Sequence, residues 1–191
     1  AQLWEYAGRW KKRLTTPAAL SRTARAGEAT LAIGSRDGTV SCVDGTSGAE
    51  LWQRDVGAIE WGAVMWVDLT GNGRDELLVP TSDAGVYALD SQGNPLWRYA
   101  GEEGRQAPHI ACPLAAADVD GDGAPELFVA DRFGRLCLSS QGVLRWRQTP
   151  DGNFATAVIV ADADLDGRAE IYCPAAADSA LYCLDALTGT V

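Results

Sequence analysis

Positive charge is scarce in this sequence. Lys and Arg number 16 against 26 Asp and Glu, for a net charge of −10 over 191 residues. That balance argues against nucleic acid as a partner, because phosphate binding needs clustered Lys and Arg. The one basic cluster, Arg9, Lys11, Lys12 and Arg13, is short and reads as a solvated strand end. No apolar run has the length of a membrane span, so no membrane insertion is expected. No secretory leader is present and the chain opens at Ala1 rather than Met, which reads as a processed chain or a piece of something longer. Histidine is almost missing: His109 stands alone in a long connection and reads as a loop residue, so no Ser/His/Asp or Cys/His set can be assembled around it. The five cysteines show no C-x-x-C spacing, which argues against a zinc or thioredoxin-type site. No window sustains a helical period, which disfavours a helical solenoid.

What the sequence does have is glycine, at 21, and tryptophan, at 7, within a chain that is 47% hydrophobic. That mix signals a folded chain of tight turns between aromatic-anchored strands. Self-similarity then sets the architecture. Three segments align without gaps: Asp68–Leu77 (DLTGNGRDEL), Asp118–Leu127 (DVDGDGAPEL) and Asp162–Ile171 (DADLDGRAEI). A second motif alternates with them, running Cys42–Trp52, Ala88–Trp97 and Cys137–Trp146, with a fourth copy from Cys183 to Val191. Each unit reads as four short strands in about 45 residues, which is propeller spacing.

The expected fold is therefore all-β: a β-propeller of four-stranded antiparallel blades, about four per chain. It is read as a single domain with blades at approximately 5–52, 53–97, 98–146 and 147–191 plus 1–4. The fourth Trp motif stops short of its Trp while the chain opens on Leu3-Trp4, so one blade is expected to be split between the N- and C-termini. Closing the ring hides a sheet edge, and it can occur within the chain, with a second copy, or with additional blades. Trp4, Trp52, Trp97 and Trp146 occupy equivalent strand ends and are expected to pack between neighbouring blades; Trp10, Trp61 and Trp66 lie outside the repeat, with Trp61 the candidate for an exposed aromatic. Cys42, Cys137 and Cys183 share the repeat position of Ala88, and Cys173 that of Val79 and Val129, so they read as small core residues. The hairpin spacing of Cys173 and Cys183 also allows a disulfide.

The acidic segments resemble FG-GAP/VCBS repeats, with pattern D-x-[DN]-x-[DN]-G-x-x-[DE]-[LIV]. The Trp segments resemble the docking motif of pyrroloquinoline-quinone (PQQ)-type propellers. Together the two resemblances span nearly the whole chain.

The acidic loops have the chemistry of a calcium site. Calcium takes six to eight hard oxygens at flexible geometry. Alternation in D-x-D-x-D turns three side chains toward one centre, and the following Gly permits the turn. Asp118, Asp120, Asp122 and Glu126 supply four carboxylates, as do Asp162, Asp164, Asp166 and Glu170; Asp68, Thr70, Asn72 and Glu76 supply only two, so weaker binding is expected there. The resemblance implies backbone carbonyl ligands from Arg74, Ala124 and Arg168. The matching stretch of the first blade, residues 22–30, has no acid at the ligand positions and should bind no metal, with Arg22 and Arg25 as local substitutes. An EF-hand is excluded, because its bidentate Glu position falls on Val79, Val129 and Cys173. Asp, Asn and Gly also favour plain polar turns, but a turn does not need four mutually repelling carboxylates.

The expected function is a non-catalytic, calcium-binding, extracytoplasmic module that interacts with a protein or a glycan. Two alternatives are a structural subunit that shares blades to build rings or filaments, and a segment of a PQQ-type dehydrogenase or polysaccharide lyase.

Overall fold

The computed structural model describes residues 3–8, 14, 16–21, 29–60, 62–104, 106, 108–149, 157–175 and 179–191. Strands that alternate with Gly- and Asp-rich turns leave no stretch long enough for a helix, and every regular element among these residues is a strand. The first sheet holds β1 (Ala19–Leu20), β2 (Thr30–Gly34), β3 (Thr39–Asp44) and β4 (Glu50–Asp55). The second holds β5 (Met65–Val67), β6 (Glu76–Thr81), β7 (Gly85–Leu89) and β8 (Pro95–Tyr99). The third holds β9 (Ala115–Ala117), β10 (Glu126–Asp131), β11 (Gly134–Leu138) and β12 (Leu144–Gln148). The fourth holds β13 (Ile159–Ala161), β14 (Glu170–Ala175) and β15 (Ala180–Asp185). Pairing is antiparallel and follows chain order in each sheet. β1 lies beside β5 and β9 beside β13, so the first strand of each blade sits innermost.

The second strand of a blade is its core. Glu76–Thr81 and Glu126–Asp131 are buried along their whole length, because a neighbouring blade covers each face. Alternate side chains point to opposite faces, so Leu77 joins an apolar cluster with Ala32, Val40, Ile59 and Trp66 of the first two blades, whereas Leu78 faces Ile110, Phe128 and Leu136.

A repeated clasp joins the blades. Trp4, Trp52, Trp97 and Trp146 each donate their indole N–H to a carbonyl in the next Trp-motif turn: Gly45, Ser91, Ser140 and Ala186, at 2.9–3.1 Å. Each ring lies across a glycine of that turn, Gly48, Gly93, Gly142 or Gly189. These glycines have φ of 72–80°, and a Cβ on any of them would come within 2.5–2.7 Å of the ring. The turn and the ring therefore demand glycine for separate reasons. A β-bulge one residue before Trp52, Trp97 and Trp146 sets each indole's direction. The turn itself is held by its first side chain. Asp44 Oδ1 accepts the Thr46 and Ser47 amides and hydroxyls at 2.6–3.0 Å, and Asp90 and Asp185 act alike. In the third blade Ser139 Oγ takes the Gln141 and Val143 amides instead.

The sheets differ in detail from the expected strands. The fourth strands run past their Trp to Asp55, Tyr99 and Gln148. Trp4 docks on the first blade as an outer-strand Trp should, but residues 3–8 form no strand, and the fourth sheet has three strands among the described residues. Ala1, Gln2, the basic cluster, Trp10, Trp61, Arg22 and Arg25 lie outside the described residues. Trp66 is buried in the core at 8% exposure. The cysteines are free. Burial pushes the Cys42 and Cys137 thiols up to about 12 and that of Cys112 to about 11, so they are unreactive packing groups. Cys173 pairs across the hairpin with Tyr182, and Cys183 with Tyr172. The two cysteines thus fall on opposite faces, which rules out the disulfide; Cys173 is buried as expected, whereas Cys183, expected in the core, is exposed because strand parity turns it outward.

Gly142→Ala and Gly104→Ala both place a Cβ at φ of 76–78°, but only the former meets an indole ring; nothing lies within 4 Å of the latter. Gly104→Ala should cost about 1 kcal/mol of stability and Gly142→Ala about 2–4 kcal/mol, as measured by urea unfolding. Asp44, whose carboxyl the Thr46 and Ser47 hydroxyls hold down to about 2, contributes stability above its unfolded value of about 4. That contribution is lost as pH falls through about 2. Between those limits the melting temperature of Asp44→Ala should vary less with pH than that of the unaltered chain.

Candidate metal centre

The acidic loops join the innermost strand of a blade to the second strand, β5 to β6, β9 to β10 and β13 to β14. All three fold alike. The first Asp accepts the amide of the loop's Gly five residues on, Asp68 from Gly73, Asp118 from Gly123 and Asp162 from Gly167, at 2.7–3.0 Å. The third ligand residue accepts the amide two ahead, Asn72 from Arg74, Asp122 from Ala124 and Asp166 from Arg168, each at 2.8 Å. The closing Glu reaches back to the amide after the first Asp: Glu76 to Leu69, Glu126 to Val119 and Glu170 to Ala163, at 2.8–3.1 Å. Asn72 therefore serves the turn as well as an acid does, and the turn closes with a Thr at position 70. The charges of Asp120, Asp122, Asp164 and Asp166 are surplus to folding the loop, which is the strongest argument against a plain polar turn.

In the third loop, Asp162, Asp164, Asp166 and Glu170 each bring a carboxylate oxygen within 4.8 Å of the others. Oxygens that share one calcium at 2.3–2.6 Å lie at most about 5 Å apart, so this set fits the ion. In the second loop Asp118, Asp120 and Glu126 gather likewise, but Asp122 does not join them. Asp68 and Glu76 are too few carboxylates to form such a group. Burial raises the Glu126 and Glu76 carboxyls above the ordinary range. The third loop also carries a cost: Leu165 sits at φ 63° and is exposed, where the other loops have Gly71 and Gly121.

One cation in this region escaped sequence reasoning. Arg145, from β12, places Nη1 2.7 Å from Asp120 Oδ2 and Nη2 3.0 Å from Glu126 Oε1. Its hydrogen bond holds the Asp120 carboxyl below the usual range. The signal lay in Leu144-Arg145-Trp146, where the other blades read Leu51-Trp52 and Leu96-Trp97.

Comparison with known proteins gives the class. Residues 31–114 match the family model of the lambda-carrageenase β-propeller domain, and residues 118–173 match that of the FG-GAP-like repeat. No curated protein sequence matches. Solved structures that resemble the chain are propellers. The computationally designed Ika4 protein superposes with TM-score 0.69 at 16% identity, over 97% of this chain and 98% of its own. BamB from Moraxella catarrhalis gives 0.61 at 19% identity, over 92% of this chain and 47% of BamB. The V. cholerae biofilm matrix protein Bap1 gives 0.65 at 21%, over 91% of this chain and 27% of Bap1. The chain thus spans less than half the length of either natural relative. It is a β-propeller of four-stranded blades. Its second half carries the FG-GAP-like repeat that the acidic loops had suggested.

The long connection between β8 and β9 shapes a second feature. His109 Nδ1 lies 2.8 Å from the Ser82 carbonyl, and its Nε2 lies 3.8 Å from Glu60, so His109 ties the connection to the second blade. Glu102, Gln106, Phe133 and Arg147 line a cleft of about 200 Å³ beside it. Arg147 pairs with Glu102 at 2.9 Å and with fully buried Asp131 at 3.2 Å, and reaches the Tyr99 hydroxyl at 3.4 Å. Arg147→Met removes the cation from a buried carboxylate and should cost about 3 kcal/mol in chemical unfolding, whereas Arg132→Met, on the neighbouring turn, should cost less than about 0.5 kcal/mol.

Proposed function

We propose that this chain is a calcium-stapled, non-catalytic interaction module that works outside the cytoplasm. The observation that carries the reading is the third acidic loop. Its fold needs only the hydrogen bonds that the first loop makes with two charges, yet it gathers four carboxylates on one centre. Calcium there would tie the innermost strand of the fourth blade to the core strand β14. Binding to the folded state alone stabilises it by mass action. The second and first loops offer the same scaffold with fewer free oxygens. Asp68, Thr70, Asn72 and Glu76 remain the weakest candidate set.

Extracytoplasmic placement follows from calcium supply, since millimolar-range sites fill where the ion is abundant. The biofilm matrix protein Bap1 contains a similar fold. The partner surface best supported is the cleft beside the β8–β9 connection. There the Phe133 ring stands with Glu102, Gln106 and Arg147, an aromatic face among hydrogen-bonding groups that suits a sugar ring or a peptide. Long connections on a rigid scaffold are where binding is grafted. A second reading draws on the match of residues 31–114 to a carrageenase propeller domain: the chain would be the glycan-facing part of a polysaccharide-acting enzyme.

Titration with calcium chloride by calorimetry should show binding to the third loop and raise the melting temperature by about 5–10 °C at 100 times Kd. Asp164→Ala takes away one ligand oxygen at the place where the first loop has Thr70, and should remove both the heat and the shift from that loop. Absence of heat and of any shift in the unaltered chain would overturn the reading.

A further inference from the structure

The second and third loops carry the same four ligand types at the same spacing, yet only the third brings all four together. Asp122 is the one that stays out of the second cluster. Among the described residues the second loop also differs from the third in holding a guanidinium, that of Arg145. Its two nitrogens sit on Asp120 Oδ2 and Glu126 Oε1. Those are the oxygens the loop backbone leaves over, because Asp120 Oδ1 takes the Asp122 amide and Glu126 Oε2 the Val119 amide. A metal ion needs the same leftover oxygens. Among the described residues no ion pair reaches Asp164 or Glu170 in the third loop.

The origin of the contact is local. Arg145 is the bulged residue of β12, paired with nothing between the Cys137–Trp146 and Leu138–Leu144 partners. Leu51 and Leu96 hold this place in the first two blades and are half exposed, at 52% and 51%. The bulge aims the side chain along the blade toward its own inner loop, and only a long planar cation can bridge two carboxylates there.

We infer that Arg145 fills the second acidic loop in place of a metal, so that of two loops with matching ligands only the third takes calcium. The second loop is then a metal-independent copy of the staple, locked by an internal guanidinium. Calcium entering it must break two charge-assisted hydrogen bonds and leave a guanidinium beside a dication. The half of the statement that concerns the third loop rests on the calcium reading above; the half that concerns Arg145 does not.

Calorimetric titration with calcium chloride separates them. The unaltered chain should bind one equivalent, and Arg145→Leu, which restores the residue of the other blades, should bind two, the second at least 100-fold tighter than any binding to that loop before the change. In an Asp164→Ala background the chain should bind none, and Arg145→Leu should restore one. Melting curves without calcium confirm that each variant is folded, and Arg145→Ala serves in place of any Arg145→Leu chain that is not. Two equivalents of similar affinity in the unaltered chain would overturn the assignment and leave the calcium reading standing. No added site on removing Arg145 would overturn it as well. If the unaltered chain binds nothing while Arg145→Leu gains a site, the third-loop reading falls and the role of Arg145 stands.

Discussion

The structure depends on an indole ring laid across a glycine of the next blade. The contact recurs four times, and each time the same turn supplies a carbonyl for the indole N–H and a left-handed glycine for the ring. Among the described residues successive sheets share no strand pairing, so side chains, with a few backbone bonds of the connecting segments such as Ile110 N–H to the Thr81 carbonyl, fix how one blade sits on the next. Apolar burial supplies the driving force but little direction. The clasp supplies direction, and the bulge before each Trp and the capped turn that receives it are the local devices that aim it.

On that frame the inner loops form a graded series. The first blade has no acids at the ligand positions, the second has two, and the third and fourth have four each. The side-chain-to-backbone hydrogen bonds are nonetheless common to the three acidic loops, so charge varies while shape does not. This separation allows one scaffold to carry a loop with two carboxylates, a loop paired with a guanidinium and a loop with four converging carboxylates at equivalent places. It also explains why burial of the closing Glu is tolerated: each has a backbone amide in place.

Much of this was legible from periodicity. The four blades, the strand order, the clasping tryptophans and the burial of Cys42, Cys137 and Cys173 all repeat with the chain, and repetition is what sequence displays directly. What broke the repeat was harder to read. Arg145 looks like a surface residue until the bulge aims it at acids 25 and 19 positions earlier. The Arg147, Asp131 and Glu102 network joins the end of a core strand, one outer strand and one long connection, contacts that no period encodes. Cys173 and Cys183 sit within one hairpin, but strand parity sends them to opposite faces, and parity depends on a register that only the fold fixes. Trp66 lacks a repeat partner because it fills the seam between the first two blades.

The central claim is that the carboxylates of the last loop converge on a cation. Anomalous diffraction from crystals grown in calcium chloride tests it most directly. The account predicts a calcium peak enclosed by oxygens of Asp162, Asp164, Asp166 and Glu170, with Arg145 still seated against Asp120 and Glu126. Those four acids splayed apart with no peak between them would contradict it.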